Sequence, residues 1–232
     1  MSTKILQYVW SLTVAAIALF CAVYFAQPGI EASYLLAAGC FAVLGLTATS
    51  LSYRSSSNVG GSIAFLPILT CLLLVPNWIG VLGVAGALLV GELISRRAPI
   101  KLVFNTAQGL FAASVTVIAY RVLGGTSLLS PADFRFVPYV AAILLFFAAN
   151  SLTMSAIVAL QEEKNLWRLW LKRLRFTLVY DLLSIPFVFV FAYVYVHFGV
   201  IGAAIFMIPL LVPGNFIKQI GSWRRQIKSF SS

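Results

Sequence analysis

Apolar positions along this chain gather into eight runs separated by short polar breaks. The runs are Leu6–Phe25, Tyr34–Ser52, Ser62–Val75, Trp78–Ile94, Leu102–Leu123, Val137–Leu160, Thr177–Phe198 and Val200–Val212. Most approach the ~20 residues that a helix needs to cross a hydrocarbon core of ~30 Å. The pattern predicts an all-α, polytopic transmembrane helix bundle of about eight spans, with residues 1–232 forming a single integral membrane domain. The third run is the exception. At ~14 residues it reaches only ~21 Å as a helix, with Pro67 inside it and Pro76-Asn77 closing it. It is expected either as a short, tilted span or as a re-entrant hairpin with the fourth run. The first run has no clear small-residue cleavage site before Gln27-Pro28 and is expected to persist as a span rather than as a signal peptide.

Charge orients the runs. With both termini cytoplasmic, the inner side holds Lys4, Arg54, Arg96, Arg97, Lys101, Lys164, Arg168, Lys172, Arg173, Arg175, Lys218, Arg224, Arg225 and Lys228. These are 14 of the 16 basic residues, and only Arg121 and Arg135 fall outside. Short loops of a multi-pass protein follow this rule, so a bacterial inner (cytoplasmic) membrane is expected. The five tryptophans, Trp10, Trp78, Trp167, Trp170 and Trp223, lie near run ends or in inner loops, where indole favours the headgroup boundary.

Composition excludes other classes. Hydrophobic residues make up 61% of the chain and charged ones 9%, with a mean hydropathy of +0.99, so a soluble globular domain is ruled out. The net charge of +10 lies in loops beside the spans. Anionic inner-leaflet lipid, worth ~1 kcal/mol per basic residue near the surface, is a better partner for it than nucleic acid. Cys21, Cys40 and Cys71 all sit inside apolar runs without metal-ligand spacing, and no cofactor is implied.

Two segments carry a surface pattern. In 161–176, Trp167, Trp170, Leu171 and Leu174 repeat at helical spacing beside a basic stripe of Arg168, Lys172 and Arg175, with Arg173 adjoining. This is the signature of an interfacial amphipathic helix. The basic tail 213–232 repeats it more weakly, with Lys218, Arg224, Arg225 and Lys228. Together with Arg96, Arg97 and Lys101 these residues form a face for lipid or a separately encoded protein. Within the spans, Gly83 and Ala87, and likewise Ala38 and Ala42, have the small-xxx-small spacing that lets helices approach closely.

Catalytic chemistry is poorly supplied. His197 is the only histidine, and neither paired carboxylates nor an HExxH or G-x-S-x-G motif occurs. The chain is expected not to be an enzyme. Its candidate ligand-binding residues are polar positions in or beside the spans: Glu92, Asn105, Gln108, Asn150, Tyr180 and Asp181. Asn105 and Gln108 lie one helical turn apart on one face. Ionisable groups at such depth cost ~2.5–3.5 kcal/mol on insertion scales unless paired, so Glu92 or Asp181 is expected to meet Lys101 or an arginine. The plainer role is interhelical hydrogen bonding, worth ~0.6 kcal/mol per bond on average.

The stretch Arg96-Arg97-Ala98-Pro99-Ile100-Lys101-Leu102-Val103-Phe104-Asn105-Thr106-Ala107-Gln108 closes at Tyr120-Arg121 and Gly124-Gly125. It resembles the membrane-embedded N-terminal region of bacterial receptors that carry HD-GYP-type phosphohydrolase or GGDEF output domains. Those regions show paired arginines, then Lys-x-x-Phe-Asn-x-Ala-Gln, then Tyr-Arg and Gly-Gly. Asn150, the basic tryptophan-containing loop, Gly199, Gly202 and Pro209-Leu210-Leu211 extend the likeness, from about Gly60 to Leu211. The resemblance implies a sensory or regulatory membrane module with Asn105, Gln108 and Asn150 as matching polar positions. This chain has neither the HD metal-binding dyad nor a GGDEF loop, so the output activity does not carry over. The expected function is a stand-alone sensory or regulatory module that takes a small ligand or senses the bilayer. The alternatives are a small-solute transport component, for which Pro67, Pro76 and the glycines after Trp78 would supply a discontinuous helix, and an accessory subunit of a larger membrane complex.

Overall fold

In lipid every backbone N–H and C=O must be paired within the protein, and a chain this apolar answers with helices. The computed structural model describes residues 3–27, 29–50, 53–54, 60–61, 64–129 and 134–230. Side chains are described for all of these except 53–54, 60–61, 173, 175–181, 183 and 210–230. The elements are α1 (Thr3–Ala26), α2 (Ala32–Ser50), a minimal antiparallel pair β1 (Tyr53–Arg54) and β2 (Gly60–Gly61), α3 (Phe65–Leu74), α4 (Trp78–Ile94), α5 (Pro99–Val122), α6 (Phe136–Glu162) and α7 (Leu166–Phe230). Tyr53 pairs with Gly61 and Arg54 with Gly60. Among the described residues, five helical stretches are long and apolar enough to cross a membrane: α1, α2, α5, α6 and the Ser184–Pro209 part of α7.

The Ser184–Pro209 stretch is not a straight rod. Gly199 takes φ 64, ψ −156, a conformation essentially confined to glycine. The rings of Phe191 and Phe206 lie 5.2 Å apart, whereas a straight helix would separate those positions by ~22 Å. The chain therefore folds back at Gly199, where Gly202 packs against Phe198 and Val194. Both limbs enter the core, the first through Val188, Phe191, Ala192 and Tyr195, the second through Ala203 and Met207. The break between the seventh and eighth apolar runs is this turn.

The third run becomes α3, ten residues long and so ~15 Å. Its residues from Leu66 to Leu74 are all buried, packed chiefly against α2, α7 and α4. Pro76 prevents its continuation, and Asn77 starts α4 at once by accepting from the Ile79 and Gly80 N–H groups at 2.9 and 3.4 Å. The turn is tight enough that a Cβ on Gly80 would overlap the Val75 carbonyl. The short α3 is thus turned at Pro76-Asn77 onto the longer α4. The small residues of α2 and α4 meet as their spacing predicts, a Cβ on Gly83 falling 3.3 Å from that of Ala38.

The segment 161–176 does not form a separate helix. Gln161 and Glu162 end α6, and from Leu166 the chain is already in α7, which runs without a break to Gly199. Asn165 caps that start, accepting from the Arg168 N–H at 3.1 Å, and no glycine interrupts the following turns.

Candidate functional site

Antiparallel α5 and α6 bring two of the candidate residues together. Gln108 Nε2 donates to the Asn150 carbonyl at 3.0 Å and to Asn150 Oδ1 at 2.8 Å. One turn away, Tyr8 Oη donates to the Thr153 carbonyl at 3.0 Å, tying α1 to the same level. Around these bonds lies a second apolar cluster of Val9, Leu12, Phe104 and Ala107, distinct from the main core that surrounds α3. The pairing fixes register between three helices. It places the start of α1, the start of α5 and the end of α6 at one end of the bundle.

The other candidates separate. Glu92 is buried near the end of α4, and the Arg97 Nε lies 3.2 Å from its Oε2. That oxygen has no hydrogen-bond partner among the described residues, so the contact is a charge pair rather than an aligned bond. Arg97 reaches back across the α4–α5 turn, where Arg96 adopts φ 48. An arginine thus relieves the buried carboxylate, while Lys101 is exposed. Asn105 is half-buried and makes no hydrogen bond among the described residues. The side chains of Tyr180, Asp181, Arg173, Arg175, Arg224 and Arg225 lie outside the described set. Among the described residues no three His, Cys, Asp or Glu side chains gather as a metal site.

At the opposite end the structure assembles a polar cluster that was not anticipated. Arg121 Nε donates to the Pro76 carbonyl at 3.0 Å, and its Nη2 donates to Gln27 Oε1 at 3.0 Å. One guanidinium therefore joins α5, the end of α1 and the α3–α4 turn. The Leu128 N–H donates to the Leu73 carbonyl at 3.1 Å, and Ser127 Oγ donates to the Leu74 carbonyl. Carbonyls at the end of a helix have no partner within it; here the 127–128 loop supplies those of Leu73 and Leu74, while Arg121 serves the carbonyl of the following turn. Tyr120 Oη holds that loop by donating to the Thr126 carbonyl at 2.7 Å, and the Arg135 guanidinium lies over Gly124. Tyr120 and Arg121 thus hold the 126–128 loop and the α3–α4 turn in place, and Ser127 and Leu128 of that loop cap α3. A single clue to Arg121 existed in sequence: it is a basic residue at the last turn of a span that breaks the positive-inside pattern.

Charge divides the two ends. Lys4, Arg96, Lys101, Lys164, Arg168 and Lys172 are exposed at the end where α5 begins and α6 finishes. Trp170 anchors the start of α7 there, its Nε1 donating to Ser151 Oγ of α6 at 3.0 Å. No protein-family model, curated protein or solved structure matches this chain. Nothing in these comparisons links the chain to HD-GYP or GGDEF receptors.

The Gln108–Asn150 contact predicts a measurable coupling. In a double-mutant cycle of Gln108→Leu and Asn150→Leu, read by thermal unfolding in detergent, a coupling of about 0.5–2 kcal/mol is expected. A strictly additive pair of effects would show that the bond contributes nothing.

Proposed function

We propose that this protein is a regulatory membrane module of the bacterial inner membrane. It spans the bilayer about eight times with both termini cytoplasmic, and it presents its basic end to a partner protein with an acidic surface. The carrying observation is the asymmetry of free charge. One end exposes Lys4, Arg96, Lys101, Arg168 and Lys172, none of them in an ion pair among the described residues, whereas at the other end Arg121 is engaged by Pro76 and Gln27 and Arg135 is the one exposed basic side chain among the described residues there. Short basic segments stay on the cytoplasmic side, which orients the exposed cations toward soluble partners and anionic lipid. The resemblance of Arg96–Gln108 to receptor membrane regions supports the same reading.

A solute-transport role is the second reading, favoured by α3, a half-length buried helix of the kind that builds midplane binding sites. Against it, the end of α3 beside the 127–128 loop is already closed by protein groups, and the Gln108 amide N–H is already spent on Asn150.

Native mass spectrometry of the protein extracted from its own membrane separates the two. The regulatory reading expects a stoichiometric protein partner, lost by at least about tenfold when Arg96, Lys101 and Arg168 are all changed to Glu, because charged rims govern encounter and register. A small solute carried without any partner, unaffected by that charge reversal, would instead establish transport.

A further inference from the structure

A groove of about 760 Å³ opens between the first turn of α1 and the last turn of α6. From the charges along it we infer that it binds a zwitterionic phospholipid with a primary-amine headgroup, of the phosphatidylethanolamine class. The inference goes beyond the regulatory reading and does not depend on it. Ile5, Ala159 and Leu160 form its apolar floor, and Lys4, Glu163 and Lys164 its polar rim. Lys164 is neutralised by Glu162, 2.6 Å away. Among the described rim residues this leaves one cation, Lys4, and one anion, Glu163.

The helices reinforce that division. Lys4 stands at the start of α1, where the helix dipole is positive, and Glu163 stands just past the end of α6, where it is negative. A phosphodiester is drawn to the α1 side. A primary ammonium is drawn to the α6 side, where it can donate to the Glu163 carboxylate and to carbonyls of the last turn that lack helical partners. A purely anionic headgroup would face Glu163 and the negative helix end. A choline headgroup carries the charge but no N–H to donate.

The backbone gives the second observation. Lys164 N–H closes on the Ala159 carbonyl at 3.0 Å, and Glu163 between them adopts φ 52, ψ 37. This is the left-handed position of a helix stop where glycine ordinarily sits. A residue with a Cβ is strained there, and strain of this kind accumulates where a side chain is needed for function. From this position Glu163 lines the groove.

The strain makes the test clean, because glycine should fit the backbone better than the native residue. The purified full chain is exchanged into nanodiscs with equal parts of phosphatidylethanolamine, phosphatidylcholine and phosphatidylglycerol, and retained lipid is read by native mass spectrometry. The wild type should retain phosphatidylethanolamine about tenfold over each of the others, the scale of one charge-assisted donor set. Glu163→Gly should erase the preference over phosphatidylcholine while leaving the thermal midpoint unchanged or higher. Glu163→Asn, which tolerates the left-handed conformation, should do the same. Lys4→Ala should lower retention of phosphatidylethanolamine and phosphatidylcholine alike. Retention of phosphatidylglycerol at or above phosphatidylethanolamine would overturn the proposal. So would an unchanged lipid ratio in both Glu163 variants, or no retained lipid in the wild type.

Discussion

Gly199→Val should lower the thermal midpoint of the protein sharply and abolish the fold-back of α7. At φ 64, ψ −156 a non-glycine residue costs about 1–3 kcal/mol, and a β-branched one stands at the upper end because its side chain crowds both neighbouring peptides. The chain can avoid that strain only by straightening. Straightening withdraws Ala203 and Met207 from the core and separates Phe206 from Phe191, and emptying a buried methionine site alone costs about 2–5 kcal/mol. Either route is expensive, so a loss of at least about 2 kcal/mol is expected. The structural readout is cross-linking of cysteines placed at 191 and 206 by a bifunctional thiol reagent that spans packed neighbouring helices, which should succeed in the parent and fail in the valine variant. Normal cross-linking together with an unchanged midpoint would mean that the turn is not the conformation of the folded protein.

Arg121→Ala should destabilise by about 3 kcal/mol, since a hydrogen bond to a charged group is worth about 1.5–3 kcal/mol and two are lost. The Pro76 carbonyl in the α3–α4 turn and the Gln27 amide just past α1 would be left without their donor. Arg121→Lys should recover only part of the loss, because an ammonium lacks the planar fork that reaches two acceptors at once. Arg135→Ala is the informative comparison. Arg135 is exposed and lies over Gly124, so its loss should cost less than about 1 kcal/mol, as for most exposed charges. Equal and small effects at both positions would reduce Arg121 to an ordinary surface arginine.

The candidate site was legible in part, and the residues show why. Gln108 and Asn150 stood out because a side-chain amide inside an apolar run needs a partner; that each partners the other depends on how α5 and α6 are staggered. Glu92 required a cation, yet several were near in sequence, and the sharp turn at Arg96 decided for Arg97 over Lys101. Asn105 shared a helical face with Gln108 and gained no hydrogen bond among the described residues, because periodicity assigns a face without saying what lies opposite. Asn77 was marked only as part of the break that closes the third run, and Ser127 carried no signal, since their roles are to cap helix ends whose partners arise only on folding.

Sequence alone determined the helical class, the apolar stretches and the places where the chain must break, because lipid forbids unpaired backbone and the hydropathy of a run is a local property. It determined as well that the small residues of α2 and α4 would be used for close packing, since their spacing permits little else. Tertiary structure alone decided that the short α3 is enclosed by α2, α4 and α7, that Arg121 ties the turn after it to the end of α1, and which core positions the two limbs either side of Gly199 fill. Each depends on contacts between residues distant in the chain, where the free energy comes from filling a shared space and pairing a shared polar group, and neither quantity belongs to any one segment.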